Sequence, residues 1–298
     1  AQVLDEPLTP LPAPPIQDPG IVELGRKLFN EVRLSANGNL SCASCHHLAT
    51  GGADDKAFSS NANGKVALVN TPSVFNASLN FKQFWNGRVD TLEQQIEQVV
   101  QSPLEMGNSW TAVLAALGRD PAYREDFKNA YADGVTVANI QNALASYERT
   151  LLSANSRFDQ YLRGDTDILS TEEKYGYQRF KDYGCVACHQ GVNIGGNMFQ
   201  KFGVMGDYFQ ARGQLTESDL GRYLVTGEEE DRNVFKVPSL RNVAVTAPYF
   251  HDASAPTLID AVEIMFKYQL GRRPSDEDKR LIVLFLNTLT GEWQGKPL

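Results

Sequence analysis

The sequence predicts a mainly α-helical protein that contains two similar domains. Three observations support this fold class. Patterns typical of amphipathic helices recur along the chain, strand patterns are weak throughout, and segments of the second half repeat segments of the first in the same order. With 298 residues, 42% of them hydrophobic, the chain is long enough for two domains of about 150 residues each.

The chain opens with a proline-rich segment. Residues 1–20 include six prolines, so we expect this segment to form no helix and to lie extended over the surface. Helical patterning starts near Val22. Glycine and asparagine are frequent over residues 51–70, which predicts a long loop.

Helix boundary signals continue after this loop. A helix is expected to begin at Asp90, with Glu93 completing a capping box, and to stop before Pro103. Further helices are predicted over residues 111–118, 122–131 and 137–152, and another after Pro256.

The second half repeats the first at an offset of 166 residues. Pro72–Asn76 aligns with Pro238–Asn242, and the alignment continues without a gap through three further pairs. Upstream, Gly25–Phe29 resembles Gly176–Phe180. The common order of these matches favours a duplicated domain. The three further pairs are Phe84 with Phe250, Thr91 with Thr257, and Glu97 with Glu263.

All four cysteines lie in two copies of the motif C-x-x-C-H. This motif is the attachment site of a c-type haem, in which two cysteines form thioethers with the porphyrin and the histidine ligates the iron. Each copy closely follows one of the repeated glycine-to-phenylalanine segments. The predicted haem-binding residues are Cys42, Cys45 and His46 in the first half, and Cys185, Cys188 and His189 in the second.

Zinc and disulfides are the competing explanations for these cysteines. A structural zinc site needs four ligands close together, and each cluster offers three at most. A redox-active disulfide does not require the histidine that follows. Two covalent haems are therefore favoured, in two cytochrome c-like domains at residues 21–155 and 156–298, joined around residues 153–165 and preceded by the segment 1–20.

Composition restricts the function further. The net charge of −8 and the lack of a basic stripe argue against nucleic-acid binding. No apolar run approaches the ~20 residues of a membrane span. The chain begins without a charged and then apolar leader, which we interpret as a mature form whose export signal has been removed. Because covalent haem attachment implies maturation outside the cytoplasm, we expect a periplasmic location.

The second axial position of each iron distinguishes the two halves. An iron with two protein ligands suits electron transfer, whereas an open position admits a small substrate. Met265 lies on a predicted helix, and its counterpart at the 166-residue offset is Val99, which cannot ligate. We therefore expect His189 and Met265 at the second iron and an open position at the first. Met106 remains an alternative ligand of the first iron, whereas His47 is expected to point away from it.

The residues around these motifs resemble the bacterial dihaem cytochrome c peroxidases, a family that also includes MauG. The resemblance covers nearly the whole chain after the proline-rich start. It implies haems near the interface between the domains, and a homodimer. The matching segments are residues 41–46, 70–72, 84–88, 105–106, 184–196, 231–240, 248–251 and 261–265.

The resemblance also implies roles for individual residues. Met265 matches the axial methionine of the high-potential haem, and Glu105 matches the distal glutamate that serves the peroxide. Trp85 matches the tryptophan between the haems. A calcium ion is implied as a further cofactor. The remaining candidates are Gln95 beside Glu105, Arg88 as the partner of a haem propionate, and Asn70 with the carbonyls of Thr246 and Pro248 as calcium ligands.

One loop departs from the family pattern. Many members have a histidine in the loop that corresponds to residues 60–64, where it blocks the peroxidatic iron until the other haem is reduced. Here Ala62 stands at the matching position. We therefore expect the first haem to be open in the fully oxidised protein.

These observations favour reduction of hydrogen peroxide to water, with electrons from a small c-type cytochrome or a cupredoxin. Glu105, held by Gln95, would move a proton between the two peroxide oxygens. The second haem would receive the electrons and Trp85 would couple the haems. Two alternatives are a MauG-like enzyme that oxidises side chains of a partner protein, although MauG has a tyrosine where Met265 stands, and a non-catalytic dihaem electron carrier.

Overall fold

The computed structural model describes residues 3–298 and confirms a helix-rich fold with little sheet. Residues 1 and 2 of the predicted N-terminal segment lie outside the described residues. The α-helices are α1 (Pro19–Phe29), α2 (Leu92–Gln101), α3 (Trp110–Arg119), α4 (Pro121–Ala130), α5 (Val137–Thr150), α6 (Arg157–Leu162), α7 (Thr171–Asp182), α8 (Tyr208–Arg212), α9 (Tyr223–Thr226), α10 (Leu258–Ile264) and α11 (Asp276–Asn287).

Two antiparallel strand pairs accompany the helices. Strand β1 (Phe199–Lys201) pairs with β2 (Val234–Lys236), and β3 (Glu292–Trp293) pairs with β4 (Lys296–Pro297). Short 3₁₀ turns connect the helices, and residues 51–70 contain neither an α-helix nor a strand, as the composition of that loop predicted.

Two predicted helix starts are wrong by one to three residues. Helix α1 begins at Pro19, because proline is tolerated in the first helical turn and the Asp18 carboxylate accepts from the following peptide N–H groups. The expectation that residues 1–20 form no helix therefore fails at its last two positions. Helix α2 is capped by Thr91 with Gln94, not by Asp90 with Glu93.

The other predicted helices are confirmed to within two residues. Helix α2 ends at Gln101, before Pro103, and α3, α4 and α5 occupy the three predicted ranges that follow. Helix α10 follows Pro256 and continues directly into a π-helical turn, Met265–Leu270. Met265 therefore lies at the junction of two helical geometries.

A glycine brings two helices into close contact in each half of the chain. A Cβ atom on Gly25 of α1 would lie 2.0 Å from the Ala143 carbonyl oxygen of α5. A Cβ atom on Gly176 of α7 would lie 2.0 Å from the Leu281 carbonyl oxygen of α11. Because no real Cβ fits at that distance, both helix pairs depend on glycine at the crossing point.

A buried polar junction lies between the halves. The Asn76 and Asn242 amides both donate to the Ser153 hydroxyl oxygen, at 2.8 and 2.9 Å. The side-chain oxygen (Oδ1) of Asn76 accepts from the Ser153 N–H, and Oδ1 of Asn242 accepts from the Gly291 N–H. Both asparagines adopt the left-handed conformation, with φ of 61°. Two residues at the 166-residue offset thus meet at one serine.

The two ends of the described chain pack on opposite halves. The N-terminal segment is not merely laid over the surface as expected, because Leu8 and Leu11 are 0% and 2% exposed. Leu8 belongs to the hydrophobic core of the second half, together with Phe158 and Phe285. The C-terminal hairpin packs on the first-half core instead, where Trp293 meets Phe75 edge to face.

The Gly25 contact predicts opposite effects of two glycine-to-alanine substitutions. Gly25→Ala should lower the free energy of unfolding by about 1–3 kcal/mol, because the new methyl group overlaps the Ala143 carbonyl. Gly118→Ala is the matched control. It lies in α3 with no atom within 4 Å of the new Cβ, so helix propensity should stabilise the protein by up to about 1 kcal/mol. Denaturant unfolding checks both, and equal effects would contradict the close-contact explanation.

Candidate functional site

The first C-x-x-C-H motif forms a tight turn that presents its histidine. Residues Cys42–Ser44 make a 3₁₀ turn, and the His46 N–H donates to the Cys42 carbonyl oxygen at 3.0 Å. Nδ1 of His46 lies 2.9 Å from the Gly52 carbonyl oxygen. A carbonyl oxygen only accepts, so Nδ1 carries the proton and Nε2 keeps its lone pair for a metal.

The second motif repeats this local geometry. Cys185–Ala187 make the 3₁₀ turn, and the His189 N–H donates to the Cys185 carbonyl oxygen at 3.0 Å. Burial lowers the pKa of His189 to about 4 and also lowers that of His46. Both imidazoles are therefore neutral near pH 7, which is the form that ligates iron.

The second motif opens onto a large cavity that suits a haem. None of the four cysteines forms a disulfide within residues 3–298, and the cavity wall includes Cys185, Cys188 and His189. Nδ1 of His189 is buried with no hydrogen-bond partner among the described residues. Met265 lines the same cavity, so the structure brings both predicted axial ligands of the second iron together. Two cysteines to attach the porphyrin, and a neutral imidazole and a thioether to ligate the iron, match the groups that hold a c-type haem.

The surroundings of the first motif contain a carboxyl group instead. Burial raises the pKa of Glu105, and the Arg88 guanidinium acts against this shift. Arg88 donates from Nε to the Gln98 Oε1 at 2.6 Å and lies 3.2 Å above the centroid of the Phe84 ring. Gln95 makes no side-chain hydrogen bond with Glu105 in the described residues. Arg88 is instead the cation whose charge influences the pKa of Glu105.

The loop at residues 60–64 packs directly on this carboxyl segment. The Ala62 N–H donates to the Glu105 carbonyl oxygen at 2.9 Å, and Ala62 is buried. Met106 is also buried and belongs to the first-half hydrophobic core. His47 is exposed, with Nε2 3.1 Å from the Ser44 carbonyl oxygen, in agreement with the expectation that it faces away.

Trp85 lies where the two halves meet. Its indole N–H donates to the Asn70 carbonyl oxygen at 2.9 Å, and the Asn70 N–H donates to the His251 carbonyl oxygen at 2.8 Å. The ring of Trp85 meets that of His251 edge to face at 6.3 Å between centroids. Trp85 and His251 are counterparts at the 166-residue offset, and both line the second-half cavity.

The three candidate calcium ligands also line this cavity. Asn70, Thr246 and Pro248 are all among its lining residues. The Asn70 amide donates to the Lys56 and Ala57 carbonyl oxygens at 3.0 and 3.1 Å. These bonds fix the plane of the Asn70 side-chain amide. They leave its Oδ1 atom as the group that can bind a cation.

Sequence reasoning missed a buried ionic network behind Trp85. His251 Nε2 lies 2.8 Å from an Asp219 oxygen, and Arg212 forms ion pairs with both Asp219 and Asp252. Burial opposes ionisation of Asp219, but hydrogen bonds from His251 and Arg212 outweigh it and lower the pKa of this carboxyl. The partners are separated by up to 40 residues, so no local motif marked them.

Sequence reasoning also missed Glu148 on α5. This residue is 7% exposed, and burial raises its pKa to about 8. The nearby cation Arg149 is paired with Glu93 at 2.7 Å. A lone glutamate next to an arginine near the end of a helix gave no signal of this burial.

Comparison with known proteins identifies the class. A model of the di-haem cytochrome c peroxidase family matches residues 19–167. Cytochrome c peroxidase Ccp of Escherichia coli K12 is 43% identical over 96% of this chain, which spans 62% of that relative. Cytochrome c551 peroxidase of Nitrosomonas europaea is 42% identical over 97% of this chain and 85% of the relative. A crystal structure of a MauG-like protein associated with microbial copper homeostasis covers 95% of this chain and 94% of its own, with 28% identity and a TM-score of 0.84.

Two cysteine-histidine haem motifs in a helix-rich chain define a dihaem cytochrome. The matches go further: the chain belongs to the di-haem cytochrome c peroxidase family, and its relatives place it among the peroxidase oxidoreductases. Family membership implies c-type haem as the cofactor. Within residues 3–298, every helix is too short or too polar to cross a lipid bilayer.

Burial of Glu148 predicts a pH-dependent stability. The folded protein keeps this proton up to about pH 8, whereas the unfolded chain releases it near 4.5. The contribution of Glu148 to stability is therefore fully present below pH 4.5 and is lost as pH rises through 8, at up to about 1.4 kcal/mol per pH unit. Glu148→Gln should flatten this decline in denaturant unfolding at several pH values. Glu125→Gln, at an exposed site, should keep the wild-type slope.

Proposed function

We propose that the chain reduces hydrogen peroxide to water with electrons from a small c-type cytochrome or a cupredoxin, in the periplasm. Each turnover consumes two electrons and two protons. The observation that carries this proposal is the difference between the surroundings of the two motifs: a partly buried carboxyl group, Glu105, close enough to Cys45 to influence its pKa, and a methionine in the cavity of the second motif. A pure electron carrier has no need for this acid.

The proposed cofactor sites follow the two motifs. Cys42, Cys45 and His46 hold the peroxidatic haem, which when bound supplies the iron at which peroxide is reduced. The electron-entry haem is held by Cys185, Cys188, His189 and Met265. A thioether ligand favours a high potential, which suits electron entry.

Glu105 is the proposed proton carrier. Its burial favours the neutral acid, and the Arg88 cation favours the carboxylate, so opposing influences keep both protonation states within reach. The carboxylate accepts a proton from one peroxide oxygen, and the resulting acid donates it to the other as the O–O bond breaks. Gln95, on α2, remains a proposed neighbour of the peroxide and not a hydrogen-bond partner of Glu105.

Trp85 is the proposed electron relay. It lies on the wall of the second-half cavity and is hydrogen-bonded to Asn70, which in turn is bonded to the second half at His251. We further propose that Asn70, Thr246 and Pro248 bind one calcium ion that holds this junction, and that the protein acts as a homodimer.

The two halves are proposed to derive from one duplicated haem domain. Support comes from equivalent residues in equivalent conformations: Asn76 and Asn242 are left-handed, as are Phe84 and Phe250. The capping boxes at the starts of α2 and α10 also lie at the same 166-residue offset. The haems then lie near the interface between the halves.

A MauG-like oxidation of a partner protein is the second candidate. The similarity to a MauG-like structure, at 28% identity, favours it. The relatives named as peroxidases are more similar, at 42–43% identity. Met265 in the second cavity supports the peroxidase, because MauG has tyrosine at that position.

Removing the Glu105 carboxylate tests the proposed function. Glu105→Gln should lower peroxide turnover with a reduced small cytochrome by about 10²–10⁴-fold, because the amide cannot carry the proton. Both haem spectra should remain, since the amide has nearly the same shape. Glu125→Gln is the control at an exposed site and should turn over at the wild-type rate. Unchanged turnover in Glu105→Gln would remove this residue from the reaction.

The Ala62 loop predicts the resting state of the first haem. Electron paramagnetic resonance of the fully oxidised protein should show a high-spin ferric signal, because no histidine is present in the loop at residues 60–64. Met106→Leu should leave this signal unchanged, because Met106 packs in the core and leucine has a similar volume. A spectrum with only low-spin signals would contradict the open first haem. A new high-spin signal in Met106→Leu would identify Met106 as the ligand.

A further inference from the structure

Cations line the second-half cavity, but no carboxylate does. Among the described residues, the wall includes Lys201, Lys236 and Arg241 and contains neither aspartate nor glutamate. A buried cation is costly unless an anion compensates it. Any negative charge at this wall must therefore come from a more distant side chain or from the molecule that the cavity holds.

Arg241 is compensated by the protein itself. It forms an ion pair with Asp159 at 3.0 Å, and both side chains are almost completely buried. Its Nε donates to the Val192 carbonyl oxygen at 2.7 Å, and its Nη2 donates to the Thr9 carbonyl oxygen at 2.9 Å. Lys201 needs no partner, because it is exposed to solvent.

Lys236 differs from both. It is 8% exposed, and its ammonium group has neither an ion pair nor a hydrogen bond with another described residue. Burial lowers its pKa to about 8, which still leaves most of the group charged at neutral pH. Its backbone N–H donates to the Trp85 carbonyl oxygen at 2.9 Å, so this lysine lies directly beside the proposed electron relay.

A c-type haem carries two propionate carboxylates, and these are its anionic groups. We propose that the Lys236 ammonium pairs with a propionate of the haem attached at Cys185 and Cys188, and that its positive charge raises the reduction potential of that haem. A fixed cation favours the reduced iron, which carries one positive charge fewer. The inference rests on the proposed placement of the second haem.

Lys236→Met tests the pair by removing the charge while keeping a long, flexible side chain. In the holoprotein, spectroelectrochemical titration should show that the equilibrium constant for reduction of the methionine-ligated haem falls about tenfold. This corresponds to a reduction potential lower by about 59 mV for one electron. Lys236→Arg should restore most of the wild-type potential. Lys201→Met removes a charge from the same wall at an exposed position and should change the potential far less.

A second readout reports the propionate itself. Resonance Raman spectra should show a shifted propionate bending band in Lys236→Met and an unshifted band in Lys201→Met. Equal potentials in these two variants, or an unshifted band in Lys236→Met, would overturn the inference. If Lys236→Met does not load haem, Lys236→Gln takes its place in the same comparison. If the wild-type protein shows no peroxide turnover but Lys236→Met still shifts the potential, the proposed function is refuted and the propionate pair is supported.

Discussion

The fold depends on one buried serine hydroxyl that two asparagines share. Asn76 and Asn242 each anchor a loop of their own half, and both amides end at Ser153. All three residues are buried, so a lost partner would leave a desolvated polar group at a cost of about 1–3 kcal/mol. The loops that follow carry the tryptophan of one half and the histidine of the other. The polar junction therefore links the two segments that lead to these rings.

Charge distinguishes the surroundings of the two C-x-x-C-H motifs. Near the first lies a partly buried carboxyl group, Glu105, whose pKa is raised by burial and lowered by the Arg88 guanidinium. The cavity of the second motif has cations on its wall and no carboxylate among the described residues, so its electrostatics favour an anionic occupant. Two similar local backbones thus stand in different electrostatic environments.

The sequence predicted the features that depend on local order. The two C-x-x-C-H turns and the helices from α1 to α5 follow from spacing, because their causes lie within a few residues. The cap of α2 was misplaced by one residue, because Asp90 and Thr91 are adjacent acceptors and only the backbone conformation selects between them.

Features that depend on distant contacts could not be predicted in this way. A lysine on a short strand looks like a solvent-exposed charge, and only the packing of β2 beneath Trp85 makes Lys236 buried. The same holds for Glu148, and for Asp219 with its arginine and histidine. The proline-rich segment was expected at the surface because proline excludes helix, but leucines between the prolines bury themselves in a core that is distant in sequence.

The N-terminal segment packs on the second half of the chain, and this has a consequence for the order of folding. The Thr9 carbonyl oxygen accepts from Arg241 across 232 residues, and Arg241 lines the second-half cavity. Thr9 therefore finds its partner only after the 232 residues that follow it have been made. Closing so long a loop is slow, which places this docking late in assembly. Until then Arg241 lacks one of its hydrogen-bond acceptors, so the N-terminal segment completes the surroundings of a cavity-lining residue last.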